Sequence, residues 1–132
     1  MRILIADDSS IMRHRLMQRI DELQCVEGLF EAHDFDQTMK GLSDIRPDVL
    51  VLDIRMPGGT GIDVLKSMKI ATRPQVVIVF TNYAYPQYYE KCMALGADYF
   101  FDKSADIEKL VAVIRTCDLS HENAGCSENM NQ

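Results

Sequence analysis

No run of about eighteen apolar residues occurs in this chain, so the sequence offers no membrane-spanning helix. The opening segment, Met1 to Ala6, meets Asp7 and Asp8 too early to be a signal peptide. The expectation is a cytoplasmic protein. Zinc spacing is missing as well. Cys25, Cys92, Cys117 and Cys126 form no CxxC pair, and no Cys/His cluster is spaced as metal ligands. The thiols read as reduced residues of a core or a tail. His14, His33 and His121 are scattered and read as surface residues. Positive charge is short: 14 Lys and Arg stand against 20 Asp and Glu, a formal net charge of -6. A basic surface is the usual footprint of a nucleic-acid binder, so its lack argues against direct nucleic-acid contact. What is present is 132 residues, 47% hydrophobic and 26% charged, the size and content of one packed domain.

The chain is organised around Asp48 to Gly61. Val49 to Leu52 are four consecutive apolar residues, the pattern of a short strand buried on both faces. The run stops at a carboxylate, Asp53. Pro57 and the glycines that follow make a loop that cannot continue as strand or helix. Taken alone, Asp53 could simply begin a turn.

The other segments repeat the arrangement. Arg2 to Ala6 is a strand ending in Asp7 and Asp8, with a serine (Ser9 or Ser10) able to cap the next helix. Met12, Leu16, Ile20 and Leu23 form one helical stripe, with Arg13, Arg15, Arg19 and Glu22 off it. Cys25 to Ala32 is a weaker second strand. Phe35, Met39 and Leu42 mark a second helix capped by Asp34, and Ile62, Leu65 and Met68 mark a third. Gln75 to Thr81 is a fourth strand. Pro86 suits the first turn of a fourth helix, which would turn Tyr89, Cys92 and Met93 inward. Asp98 to Asp102 is a fifth strand, followed at once by Lys103. Ile107, Leu110, Val111 and Ile114 form the last stripe. Five strand–helix units in alternation imply an α/β fold: a doubly wound, five-stranded parallel sheet with helices on both faces. The flavodoxin-like order 2-1-3-4-5 is the common arrangement at this size. Residues 1–117 form the expected domain. From Asp118 to Gln132 the composition turns to Ser, Asn, Glu and Gly, which reads as a disordered polar tail.

In a parallel sheet the carboxyl ends of all strands share one edge, where such sheets bind ligands. That edge would gather Asp7, Asp8, Asp53, Thr81 and Lys103. Clustered carboxylates repel one another, and a divalent hard cation relieves the repulsion. Lys103 supplies a positive charge and Thr81 a hydroxyl, groups suited to stabilise a phosphoryl group in flight. Aspartate is an attested nucleophile for that transfer.

On these residues the chain resembles the receiver domain of two-component response regulators, of the stand-alone, single-domain type. The matching pieces are Asp7 and Asp8, Asp53 to Gly61 with Met56 and Pro57, Thr81, and Lys103. They cover about Arg2 to Thr116. The resemblance implies that Asp53 accepts phosphoryl from a phosphohistidine on a histidine kinase or histidine phosphotransfer protein. It implies Mg2+ held by Asp8, Asp53 and the backbone carbonyl of Arg55, with Asp7 acting through water. Lys103 would bind the phosphoryl group, Thr81 would move toward it, and Tyr99 would be the aromatic switch residue. The helix-one surface with Arg13 and Arg15 would dock the donor. The face from Tyr85 to Arg115 would signal to a downstream protein target.

Two departures stand out. Ser104 follows the lysine where the family often has proline after a cis bond. A cis bond here would cost about 3 kcal/mol, so the expectation is either strain or a trans loop. Asn82 and Tyr83 follow Thr81 where the family usually has a small residue. Arg55, Asn82 and Tyr83 are expected to set water access and so the lifetime of a phosphoaspartate. The implied role is a phosphorylation-dependent switch without an output domain, catalysing only its own phosphorylation and dephosphorylation. Alternatives are a receiver fragment of a longer DNA-binding regulator and a Mg2+-dependent aspartyl-phosphate phosphatase. The phosphatase reading is disfavoured because Asp7 and Asp8 are adjacent rather than two apart.

Overall fold

The computed structural model describes residues 1–24 and 26–126, with the backbone alone over 118–126. Five strands alternate with five helices. They are β1 (Arg2–Ala6), α1 (Ser10–Ile20), β2 (Gly28–Ala32), α2 (Phe35–Asp44), β3 (Val49–Leu52), α3 (Gly61–Ser67), β4 (Val76–Thr81), α4 (Pro86–Ala94), β5 (Tyr99–Asp102) and α5 (Ile107–Cys126). All pairings are parallel, in the order β2-β1-β3-β4-β5. The expected doubly wound fold and strand order are those observed.

The continuous apolar runs are explained by two cores, one on each face of the sheet. Side chains alternate across a strand. Leu4, Leu50, Leu52, Val77 and Val79 therefore pack on one side with Leu42, Val64, Leu65 and Cys92 from α2, α3 and α4. Ile3, Ile5, Val49, Val51, Ile78 and Phe80 pack on the other with Leu16 and Ile20 of α1 and Leu110 and Ile114 of α5. The starts of α1, α2 and α3 are capped by side chains: Ser9 accepts from Met12 N–H, Asp34 from Gln37 N–H, and Thr60 forms a reciprocal box with Asp63.

Four details differ from the sequence reading. β2 begins at Gly28, and Cys25 lies outside the described residues. On α4, Cys92 is buried and Met93 half-buried, but Tyr89 is 49% exposed. Tyr88 packs against the core instead, because one turn of α4 can turn only one of two adjacent tyrosines inward. Arg13 belongs to the inward face of α1, three and seven residues before Leu16 and Ile20, and is buried. Finally, α5 runs on to Cys126, into the segment assigned to a disordered tail. That segment holds no proline, and a helix already formed adds each further residue at little cost. Residues 127–132 lie outside the described residues, as do the side chains of His121 and Cys126. His14 and His33 are exposed, as expected.

Candidate functional site

The sheet carries its ladder one residue beyond three of its strands. Asp7 N–H donates to Ala32 O, Asp53 N–H to Ala6 O and Lys103 N–H to Thr81 O, each at 2.9 Å. These bonds fix the backbone under three charged side chains at one edge. Lys103 Nζ lies 2.6 Å from Asp7 Oδ2 and 2.8 Å from Asp53 Oδ2. All three side chains are buried. The second oxygen of each carboxylate is also used: Asp7 Oδ1 accepts from Ser9 N–H at 2.9 Å, and Asp53 Oδ1 from Ile54 N–H at 2.7 Å.

Asp8 differs. Its carboxylate is exposed and has no protein partner among the described residues, yet it stands with Asp7 and Asp53 so that one oxygen of each lies within 4.8 Å of the others. Three carboxylates and one ammonium leave the cluster negative. Hard oxygen donors at this spacing, with one carboxylate free, fit a divalent hard cation such as Mg2+. Burial raises the Asp7 carboxyl from its ordinary value and the neighbouring charge of Asp53 adds to it, outweighing the bonds from Lys103 and Ser9. Burial alone would lower Lys103, but its bonds to Asp53 and Asp7 prevail and raise it.

Around this centre, Thr81 is fully buried, and its Oγ1 accepts from Tyr83 N–H at 3.1 Å. Arg55 places its guanidinium 4.5 Å from the centroid of the Tyr83 ring, a cation–π contact. Asn82 is exposed beside it. The β3–α3 loop folds tightly against Asp53: Gly61 N–H donates to Ile54 O at 2.7 Å, and a Cβ at 61 would stand 2.2 Å from the carbonyl oxygen of Asp53. The chain has no cis peptide bond among the described residues, so Lys103–Ser104 takes the trans alternative. Asp102 Oδ1 accepts from both Ser104 N–H and Ser104 Oγ, at 2.8 and 2.7 Å, and secures that turn.

The sequence-predicted residues Asp7, Asp8, Asp53 and Lys103 are brought together. Tyr99 is not. Thr81 shares the α4 side of β4 with Val79, whose neighbour on β5 is Phe100. Tyr99 points to the opposite side, stacked 5.7 Å from Phe101. The β5 aromatic on the side of Thr81 and α4 is Phe100, 5.5 Å edge-on to Tyr89. A register shift of one residue changes the face of every side chain, and register is not legible in a four-residue strand. Two further residues escaped the sequence reading. Gly61 was taken only as a loop breaker. Arg13 was placed on the outer face, although its spacing from Leu16 and Ile20 gave the signal.

A doubly wound sheet with an acidic, lysine-bridged pocket at its carboxyl edge is the class that fold and site define. The family model for the response regulator receiver domain matches residues 3–115, and the chain belongs to that family. It is similar to the transcriptional regulatory protein FixJ of Bradyrhizobium diazoefficiens, with 32% identity over 98% of this chain and 62% of that protein. Among solved structures it is similar to a LuxR-family DNA-binding response regulator from Staphylococcus aureus. The TM-score there is 0.78 at 31% identity, covering 89% of this chain and 98% of that one. It is also similar to the receiver domain of a DNA-binding response regulator from Colwellia psychrerythraea. The TM-score is 0.81 at 25% identity, covering 88% and 96%. The chain spans about half the length of the curated relatives it matches.

Proposed function

We propose that this chain is a phosphorylation-dependent signalling module in which Asp53 is the phosphoacceptor. The observation that carries this reading is the pairing of Asp53 with Lys103 at 2.8 Å beside the unpartnered carboxylate of Asp8. A carboxylate oxygen of Asp53 attacks phosphorus, the P–O bond forms, and the P–N bond to the donor histidine breaks. The imidazole leaves with the bonding pair and takes up a proton. Lys103 is already at the attacking carboxylate and balances charge on the phosphoryl oxygens. Thr81 Oγ1 gives up its bond to Tyr83 N–H to meet the phosphoryl group. Asp8, Asp53 and the Arg55 carbonyl, with Asp7 through water, would hold Mg2+, and the ion would supply further charge neutralisation. Phe100, not Tyr99, then becomes the β5 aromatic placed to follow Thr81. The stacked Arg55 and Tyr83, with Asn82, cover the approach of water and set how long the phosphate lasts.

The donor is a histidine kinase or histidine phosphotransfer protein, and the output is a change in binding to a protein target. The chain turns over no separate substrate. Among the described residues no helix is long and apolar enough to cross a membrane, and a cytoplasmic site suits the chemistry. Its span of about half the relatives' length favours a second reading, the receiver segment of a longer regulator. The mass of the native protein distinguishes that from a stand-alone switch.

The test is incubation with acetyl phosphate and Mg2+, followed by intact mass. Wild type gains a phosphate-sized increment and Asp53→Asn gains none; an equal gain in both refutes the reading. Followed over time, Asn82→Ala and Tyr83→Ala lose the phosphate at a changed rate. Unchanged rates in both dismiss the water-access role.

A further inference from the structure

A buried cation outside the pocket has no part in the chemistry above. Arg13, on the first turns of α1, is 8% exposed. Its Nη1 donates to the carbonyl oxygen of Asp7 at 2.6 Å, and its Nε donates to Glu31 Oε1 on β2 at 2.8 Å. The N–H and C=O of one strand residue face the same side. For Asp7 that side is β2, where the N–H finds Ala32 O. β2 ends at Ala32. The Asp7 carbonyl is met instead by a guanidinium.

This matters for Asp8. No side chain holds its carboxylate, so its place near Asp7 and Asp53 depends on the backbone at residues 7 and 8. That backbone is pinned by the sheet bond of the Asp7 N–H, by Ser9 N–H donating to Asp7 Oδ1, and by Arg13 donating to the Asp7 carbonyl. Glu31, half-exposed, fixes the guanidinium in turn.

We infer that Arg13 is a positioning residue for the cation site: through the Asp7 carbonyl it holds the Asp7–Asp8 peptide so that the free Asp8 carboxylate faces Asp53. The inference rests on the phosphoacceptor reading and adds a residue to it. It also removes Arg13 from the donor-docking surface, where Arg15 remains exposed. The sign of the effect separates positioning from charge. A cation near a metal site opposes a second cation, so an Arg13 that acted by charge alone would, when removed, tighten Mg2+ binding. An Arg13 that positions Asp8 would, when removed, weaken it.

The experiment is calorimetric titration of Mg2+ into the full chain without phosphodonor, with thermal unfolding in EDTA alongside. Arg13→Gln and Arg13→Lys are expected to bind Mg2+ about tenfold more weakly, the scale of lost outer-sphere support. Glu31→Gln, whose amide oxygen still accepts from Nε, binds as wild type. Unchanged or tighter Mg2+ binding by folded Arg13→Gln overturns the inference, even if its midpoint in EDTA falls. Should Arg13→Gln not fold, Glu31→Leu decides: weaker binding supports the inference and unchanged binding overturns it. Wild type that binds no Mg2+ is a failure of the metal-assisted reading itself, visible before any variant is compared.

Discussion

Asp7 and Lys103 illustrate how the pocket divides its electrostatic load among single residues. Lys103 gains two acceptors, so its folded-state pKa is raised. That contribution to stability is complete below the unfolded lysine value of about 10.4 and is lost as pH rises through the folded value. Asp7 runs the other way. Its carboxyl is raised by burial, so the unfolded chain ionises first. Stability is therefore lost as pH climbs from the unfolded value of about 3.9 through the raised folded one, and the loss persists above it. Asp7→Asn keeps an oxygen for Lys103 and removes that penalty. Urea unfolding without Mg2+ should find the variant more stable than wild type at pH 7, with the advantage shrinking toward pH 3.5. An advantage independent of pH would assign the effect elsewhere. The identity of these residues was legible in the sequence, because each ends an apolar run. Their partners were not. Nothing in the sequence says that Lys103 bridges Asp7 and Asp53, or that the inward Arg13 meets the Asp7 carbonyl and Glu31, since both depend on how neighbouring strands are staggered.

At the scale of elements, β1, β3 and β4 were legible because a strand covered on both faces must be apolar throughout. Half-covered pieces were less so. β2 begins at Gly28, without Val26 and Glu27, and β5 is too short for its register to be read. The β3–α3 loop carried a sharper constraint than its composition suggested. Gly58 adopts φ 83, where a Cβ costs about 1–2 kcal/mol, while Gly61 is needed for space against the Asp53 carbonyl. Both Gly58→Ala and Gly61→Ala should destabilise, Gly61→Ala by about 1–3 kcal/mol as an overpacked site. They should part in function. Gly61→Ala displaces the Asp53 backbone and, on the proposed chemistry, slows phosphorylation by acetyl phosphate, whereas Gly58→Ala strains only the loop and leaves that rate near wild type. Equal losses from the two would mean that the loop's order, not its approach to Asp53, is what matters.

Across the whole molecule two helices on opposite faces of the sheet are held unequally. On one, α1 is tied to the sheet by Arg13 and Glu31 and to α5 by Arg19 and Glu108. On the other, α4 has no side-chain cap at its start and fully buries Cys92 alone. An element with so little burial opens at a lower free energy than the sheet beneath it. It is also the helix that packs on Phe100 through Tyr89, on the side of β4 that carries Thr81. A lightly held helix thus lies on the same side of the sheet as the residue that would register a phosphate. Cys92 reports on it directly. Burial pushes its thiol up to about 11, so at neutral pH it reacts only when α4 opens. Labelling of Cys92 in native buffer should give an opening free energy below the global value from urea unfolding. Saturating Mg2+ should raise the global value while leaving the Cys92 rate nearly unchanged, because the acid pocket stays intact when α4 lifts. If instead Cys92 is labelled only as fast as the whole chain unfolds, and Mg2+ slows it in proportion, α4 is part of the sheet's cooperative unit. Any movement of that helix on phosphorylation would then have to carry the core with it.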